Sequence, residues 1–243
     1  MHDPVFHFRQ FRVRQDRCAM KVGTDGVLLG AWAGNFPAVN ILDIGTGTGL
    51  IALMMAQRHE SQIDAVEVDS EACDQAVKNF AASPWAGRLQ VFHTSIQEFS
   101  CGCNKKYNLI VSNPPFYNNA HTAPSKARSI ARHTNTRLPF DELADGVARL
   151  LGPNGRFCLI LPAREGDIFI RLCASRRLHV HRLTHVKSKK GRHDKRLLIE
   201  FGYKKQFVVE EELVMRDAHS SFTQEYIDLT RDYYLGLKVP VMK

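Results

Sequence analysis

Residues 40–49 read NILDIGTGTG, and this stretch decides the fold. Asn40 to Ile44 is a short apolar run of the kind that forms a buried strand. The three alternating glycines that follow permit a tight turn and the close approach of a ligand to bare backbone. The apolar residues from Gly49 to Gln57 then predict a helix, whose N-terminus offers unpaired N–H groups to a carboxylate or phosphate.

Strands and helices alternate along the rest of the chain. Further strands are predicted at 63–68, 89–93, 107–112 and 156–161. This alternation is typical of a parallel sheet covered by helices on both faces. Two late strands, 179–186 and 196–203, have only a loop between them and predict an antiparallel closing strand. The predicted fold class is therefore α/β: a Rossmann-like, seven-stranded, mostly parallel sheet with an antiparallel last strand.

Capping residues predict where several helices begin and end. Ser70 is the expected N-cap of a helix that runs to Ser83. A helix from Pro139 to Leu151 is stopped by the Gly152-Pro153 pair. Ser221 and Gln224 fit a capping box at the start of a C-terminal helix.

Charge and composition limit the function classes. The chain has 33 basic and 25 acidic residues, a net charge of +8, which favours an anionic partner such as nucleic acid. The longest apolar stretch, 41–56, is broken by Asp43 and three glycines, so no membrane span is expected. The six cysteines form no C-x-x-C pairs, which predicts reduced thiols in a cytoplasmic protein without a zinc site.

In an open sheet of this kind, ligands bind where the strands end, so the residues after each strand are the candidate site. The glycine turn is not a P-loop, because no G-K-[S/T] follows it. Glu67, at the end of the second strand, can accept hydrogen bonds from a ribose diol, with Asp69 as the competing acid. Ser95 can bond an adenine edge while Ile96 packs on its face, although a plain loop explains these two residues about as well.

The most informative run is SNPPF, residues 112–116. Two prolines remove two backbone donors and leave carbonyls that can point at a substrate. Asn113 adds a side-chain acceptor, and Phe116 adds a flat face for stacking. Together, Asn113, Pro114, Pro115 and Phe116 could hold an amino group attached to a planar ring.

These motifs resemble those of the class I S-adenosylmethionine-dependent methyltransferases. The resemblance covers about residues 6–203. It implies that S-adenosylmethionine is the cofactor, and that Asn-Pro-Pro-Phe serves methylation of a planar amino nitrogen. No metal is expected, because direct methyl transfer needs none and the sequence has no His, Asp or Glu cluster at ligand spacing. The cofactor would be held by Asp43, Gly45, Thr46, Gly47, Thr48, Gly49, Glu67, Ser95, Ile96 and Asn113. Ser95 stands where many relatives have Asp, so Ser95 or the Ile96 N–H would take over the hydrogen bond to the adenine.

The N-terminal run, FRQF at 8–11 and QDRCAMKVGTDGVLLGAW at 15–32, narrows the resemblance. It is similar to enzymes that methylate the N6 of the adenine beside the anticodon in a valine tRNA. Two alternatives stay open at this point. One is methylation of another planar amine or amide, such as guanine N2 in ribosomal RNA or a protein glutamine. The other is a non-catalytic RNA-binding protein on the same fold.

Basic residues are clustered around the predicted site and suggest phosphate contacts with tRNA. We expect a monomer of one methyltransferase domain, 1–243. Its parts are an N-terminal segment 1–35 that caps the substrate and cofactor, a catalytic core 36–203, and a strand and helix extension 204–243. The candidate RNA-binding residues are Arg9, Arg12, Arg14, Arg132, Lys189, Lys190 and Arg192.

Overall fold

The computed structural model describes residues 4–18, 20–34, 36–115 and 138–236. Strands and helices are numbered in chain order. The strands are β1 Val5–His7, β2 Arg12–Arg14, β3 Asn40–Ile44, β4 Gln62–Glu67, β5 Leu89–His93, β6 Tyr107–Ser112, β7 Leu151–Leu161, β8 His179–Lys187, β9 Arg196–Gly202 and β10 Val209–Val214. The helices are α1 Thr24–Trp32, α2 Leu50–Arg58, α3 Ser70–Ala81, α4 Ile96–Gly102, α5 Phe140–Leu150, α6 Ala163–Ala174 and α7 Gln224–Thr230.

The central sheet has the strand order β10-β8-β9-β7-β6-β3-β4-β5. β9 runs antiparallel to both of its neighbours, β7 and β8, and all other pairs in this sheet are parallel. The predicted α/β class with one antiparallel strand is therefore confirmed. The described sheet has eight strands rather than seven, because β10, within the 204–243 extension, adds beside β8.

Apolar side chains fill both faces of the sheet. One face is covered by α1, α2 and α7 together with the N-terminal strands, and the other by α4, α5 and α6. The glycine turn, Glu67 and Asn113 follow β3, β4 and β6, which are neighbours in the sheet. Their carboxyl ends therefore meet at one end of the molecule, which we call the carboxyl end of the sheet.

The N-terminal hairpin of β1 and β2 is tied to the C-terminal segment. Phe8 stacks on Phe11 with ring centroids 4.6 Å apart, and it pairs with Tyr234 across an antiparallel bridge. The Arg9 N–H donates to the Tyr233 carbonyl at 2.8 Å. These contacts bring the start of the chain beside the helices that cover the sheet.

Several predicted element boundaries differ from the structure, most of them by one or two residues. Asp69, rather than Ser70, caps α3 by accepting from the Ala72 N–H at 2.8 Å. Thr223, rather than Ser221, caps α7 through the Tyr226 N–H. β7 begins at Leu151 rather than Arg156, because the pairing with β6 shifts register after Leu151 and the resulting irregularity accommodates Pro153.

Candidate active site

The glycine turn adopts the backbone that its three glycines were expected to permit. Gly45, Gly47 and Gly49 have φ angles of +72°, +56° and +84°, all in the left-handed region. Gly49 precedes the first residue of α2 as its N-cap. The turn is held to β4 because the Gly45 N–H donates to the Val66 carbonyl at 2.9 Å.

We expect Gly49→Ala to destabilise the protein more than Gly45→Ala. Both replacements place a side chain at positive φ, which costs about 1–2 kcal/mol. A Cβ at position 49 would also lie 2.5 Å from a Phe80 ring carbon, whereas at position 45 nothing lies within 4 Å. Thermal unfolding of the two variants tests this difference, and equal midpoints would contradict it.

Asp43 is fully buried directly before the turn. Its Oδ2 accepts from the Thr46 hydroxyl at 2.6 Å and from the Ala52 N–H at 3.2 Å. Its Oδ1 is buried and has no hydrogen-bond partner among the described residues. Burial raises the pKa of Asp43 to about 7, although its two hydrogen bonds act in the opposite direction. An oxygen of this kind is suited to a cationic or N–H-bearing ligand.

Glu67 shapes the same turn. Its Oε2 accepts from the Gly47 N–H at 2.8 Å, and its Oε1 accepts from the N–H groups of Val68 and Asp69 at 2.9 and 3.0 Å. A carboxylate has about four acceptor positions, so Glu67 can take a further hydrogen bond of the kind expected from a ribose. Asp69, the competing acid, is used as the cap of α3.

Ser95 and Ile96 begin α4. The Ser95 hydroxyl accepts from the Glu98 N–H at 3.2 Å in a capping box. Ile96 is buried, and a Cβ placed on Gly146 of α5 would lie 2.6 Å from its Cγ1, so its side chain packs toward α5. The Ile96 N–H belongs to the first turn of the helix, where no carbonyl of the same helix can accept from it.

Asn113 lies beside the glycine turn. The preceding Ser112 donates its hydroxyl to the Ile44 carbonyl at 2.9 Å. A Cβ placed on Gly26 would lie 3.9 Å from Asn113 Nδ2 and 3.0 Å from a methyl carbon of Leu50, the residue after the turn. Asn113 Oδ1 is buried and, within the described part of the chain, has no hydrogen-bond partner. Two such oxygens, those of Asp43 and Asn113, therefore lie at one end of the sheet.

Pro114, which follows Asn113 in the chain, is buried, and Pro115 is partly buried. Proline has no N–H, so both residues contribute only carbonyls to hydrogen bonding. Phe116, predicted to stack the target base, lies outside the described residues.

The predicted RNA-binding residues lie on two segments. Arg12 and Arg14 are exposed on β2, and Arg9 is exposed and donates to the Arg231 carbonyl at 2.9 Å. Lys190 and Arg192 are exposed, and Lys189 partly buried, in the loop after β8. Arg132 lies outside the described residues.

The loop after β8 is connected to the start of α1. Arg196, at its far end, pairs with Asp25 at 2.7 Å. Asp25 adjoins Gly26, which faces Asn113. Within the loop, Asp194 pairs with His185 at 2.5 Å. The loop therefore reaches the carboxyl end of the sheet on the Asn113 side, whereas the N-terminal hairpin approaches it over α3.

Gln75 and Asn79, two amides on the buried face of α3, were not predicted as residues that support the site. Asn79 donates to Thr48 in the glycine turn at 2.7 Å. The available signal was the four-residue spacing of two polar side chains beside the apolar stripe of that helix.

Metal ligands and membrane spans are both absent from the described residues. No group of three His, Cys, Asp or Glu side chains there could hold a metal ion. No described helix combines the length and apolarity needed to cross a bilayer.

Several known methyltransferases resemble this chain in sequence pattern or in structure. The family model described as methyltransferase small domain matches residues 23–141. A predicted O-methyltransferase from Agrobacterium tumefaciens has a similar structure, with a TM-score of 0.69, 18% identity, and coverage of 86% of this chain and 96% of that one. A glycopeptide N-methyltransferase complexed with S-adenosylmethionine has a TM-score of 0.55 at 15% identity, covering 76% of this chain and 90% of its own. These likenesses show that the fold is that of the S-adenosylmethionine-dependent methyltransferases.

The curated relatives of this chain show its family. The tRNA1(Val) (adenine(37)-N6)-methyltransferase of Phocaeicola vulgatus is 46% identical, covering 98% of this chain and all of the relative. The protein of the same name from Flavobacterium johnsoniae is 45% identical, covering 96% of this chain and all of the relative. The chain belongs to the family of tRNA1(Val) (adenine(37)-N6)-methyltransferases, which confirms the resemblance inferred from the sequence.

Proposed function

We propose that this protein transfers a methyl group from S-adenosylmethionine to the N6 of adenine 37 in tRNA1(Val). The single observation that carries the proposal is the buried Oδ1 of Asn113 beside the glycine turn, which has no hydrogen-bond partner among the described residues. The near full-length similarity to enzymes named for this reaction supports the choice of substrate. A tRNA substrate also favours a cytoplasmic location.

The protein residues fit the cofactor. Asp43 Oδ1 offers an acceptor for an ammonium group, and the turn offers bare backbone between Gly45 and Gly49. Glu67 retains acceptor capacity for a ribose hydroxyl. When bound, S-adenosylmethionine supplies a methyl group on a positively charged sulfur, which is the electrophile of the reaction.

The role of Asn113 follows from the chemistry of the adenine amino group. Its nitrogen lone pair is delocalised into the ring and attacks poorly. Asn113 Oδ1 and the Pro114 carbonyl can each accept a hydrogen bond from one of its two N–H groups. These hydrogen bonds increase the electron density on the nitrogen and favour the tetrahedral transition state. The amino nitrogen takes the methyl group as the bond between that methyl and the cofactor sulfur breaks, and the resulting positively charged nitrogen releases a proton to solvent, so no strong base is needed. Holding the nitrogen in line with the methyl group contributes much of the remaining acceleration.

We expect cofactor affinity to rise with pH between about 5.5 and about 7.5. The Asp43 pKa of about 7 means that the carboxylate is the minority form below that pH. A cofactor ammonium pairs only with the ionised form, so affinity should fall by up to about tenfold per pH unit below about 7. The α-amino group of the cofactor stays largely protonated over this range. Isothermal titration calorimetry with S-adenosylmethionine measures the effect, and a dissociation constant independent of pH would contradict it.

Binding of tRNA should depend strongly on salt. Removal of one phosphate contact reduces the slope of log affinity against log salt by about one. Arg12→Ala and Arg14→Ala are each expected to have this effect. Lys205→Ala is the matched control, because Lys205 is exposed beyond β9, which ends opposite the carboxyl end of the sheet. Equal slopes for the wild-type protein and all three variants would argue against contact at β2.

The substrate itself is tested with labelled cofactor. Purified protein should label a tRNA1(Val) transcript with adenine at position 37 but not a transcript with guanine there. Mass spectrometry of the nucleosides should then detect N6-methyladenosine. Label in ribosomal RNA or in protein, with none in tRNA, would favour the alternative of another planar amine or amide. Failure to bind S-adenosylmethionine would favour a non-catalytic RNA-binding role.

A further inference from the structure

Two amides of α3 are buried between the helix and the N-terminal segment. Gln75 and Asn79 are four residues apart, hence on one face of the helix, and each is only 1% exposed. The buried face is otherwise formed mainly by apolar residues such as Ala76 and Phe80. A buried amide costs free energy unless it is hydrogen-bonded, so the partners of these two side chains indicate what the amides are for.

Asn79 connects two separate parts of the chain. Its Nδ2 donates to the Thr48 carbonyl at 2.7 Å and to the Arg14 carbonyl at 2.9 Å. Its Oδ1 accepts from the Arg14 N–H at 2.9 Å. Asn79 therefore bonds both main-chain groups of Arg14, as a neighbouring strand would, and also fixes a carbonyl inside the glycine turn.

Gln75 extends this attachment along the same segment. Its Oε1 accepts from the Arg17 N–H at 3.1 Å. The next residue, Cys18, places its Sγ 3.7 Å from where a Cβ on Gly47 would stand. Residues 14–18 thus run over α3 and onto the glycine turn. Arg14 and Arg17 are exposed residues of this segment. They lie on the side from which we propose that the tRNA approaches.

We propose that Asn79, assisted by Gln75, is a positioning residue that couples tRNA binding to cofactor binding. This inference rests on the proposed function. Phosphate contacts by Arg14 and Arg17 order the 14–18 segment, and Asn79 transmits that order to Thr48. A ligand that orders one side of this link lowers the entropic cost of ordering the other side. The coupling is reciprocal: each ligand tightens the binding of the other by the same factor.

The test measures this factor directly. Isothermal titration calorimetry gives the affinity for S-adenosylhomocysteine, which cannot donate a methyl group, with and without saturating unmodified tRNA1(Val) transcript. In the wild-type protein, the affinity with tRNA is expected to exceed the affinity without tRNA by about 5- to 150-fold, the usual range for coupled sites. Asn79→Ala should reduce the ratio to below about twofold. Val77→Ala, at an exposed position of the same helix, is the matched control and should keep the wild-type ratio.

Conservative variants separate coupling from a general loss of structure. Asn79→Asp keeps the acceptor for Arg14 but loses both donors, so it should lose the coupling. Gln75→Glu keeps an oxygen that can accept from the Arg17 N–H and should retain the coupling, whereas Gln75→Met, of similar size, should weaken it. Unfolding midpoints identify any variant that fails to fold, and Gln75→Met, which loses one hydrogen bond among the described residues, serves as the milder test in that event.

Two results would overturn the inference while leaving the proposed function intact. One is a wild-type ratio near one in a protein that methylates the tRNA. The other is that the folded Asn79→Ala and Gln75→Met variants show the same ratio of cofactor affinities, with and without tRNA, as the wild-type protein. A wild-type protein that neither binds nor methylates tRNA would instead overturn the proposed function, and this inference with it.

Discussion

Asn113→Ala should lower the rate of methyl transfer by about 10²- to 10³-fold, the usual loss when one preorganised group that stabilises a transition state is removed. The expected cause is that one N–H group of the substrate amine loses its fixed hydrogen-bond acceptor. The measurement is a single-turnover transfer of labelled methyl from S-adenosylmethionine to a tRNA1(Val) transcript. Cofactor affinity, measured separately, should change by less than about tenfold, because the contacts at Asp43 and Glu67 remain.

Asn113→Asp is the matched control for this variant. It keeps an acceptor oxygen at the same position. It should therefore retain more activity than Asn113→Ala. Undiminished transfer in Asn113→Ala would remove the acceptor from the mechanism.

Asp43→Asn should weaken cofactor binding and stabilise the protein without cofactor. Loss of one partner of a buried charge pair costs about 2–5 kcal/mol, which corresponds to about 30-fold or more in affinity. The amide oxygen can still accept from Thr46 and Ala52. Asp64→Asn is the control, because this other buried aspartate bonds Lys105 and Tyr107 and should leave cofactor affinity unchanged.

The gain in stability should depend on pH. Asp43 has a folded-state pKa of about 7 against an ordinary value of 3.8. The wild-type protein therefore loses stability as the pH rises from about 4 to about 7 and loses no more above that. At a pH of about 8 the variant should gain up to about 4 kcal/mol in free energy of unfolding, because one pKa unit corresponds to about 1.36 kcal/mol. The gain should shrink toward a pH of about 4. Denaturant unfolding at about pH 5 and about pH 8 measures it, and equal gains at both values would refute the assignment of the pH dependence to Asp43.

The sequence predicted the central strands well because each is a short apolar run bounded by turn residues. β3, β5 and β6 have the predicted bounds. α1 was missed because seven of its nine residues are buried, so it shows no amphipathic stripe. α4 was missed because it has only seven residues, although Ser95 and Glu98 carry its capping signature.

The residues of the candidate site were predictable from the sequence, but the hydrogen bonds that hold them in place were not. The glycine turn, Glu67 and Asn113 could be placed because the ends of parallel strands meet at one end of a sheet. The sequence could not show that one oxygen of Glu67 holds the turn through the Gly47 N–H, or that Asp43 leaves one oxygen without a partner among the described residues. Hydrogen bonds between residues far apart in sequence, such as Asn79 to Arg14 and Thr48, follow only from the packed structure.

The last strand of the sheet, β10, has a consequence for how copies of the protein meet. Among the described strands, β10 has a neighbour on one side only, so its other side presents main-chain groups to which the strand of a second molecule could add. Glu210, Glu211 and Glu212 are exposed there in succession. A second β10 laid against the first would bring like charges together, so edge-to-edge polymerisation is disfavoured at this border. Glu212 pairs with Lys187 of β8, so the repulsion at this border, which would also act on a nucleic acid backbone, comes mainly from Glu210 and Glu211.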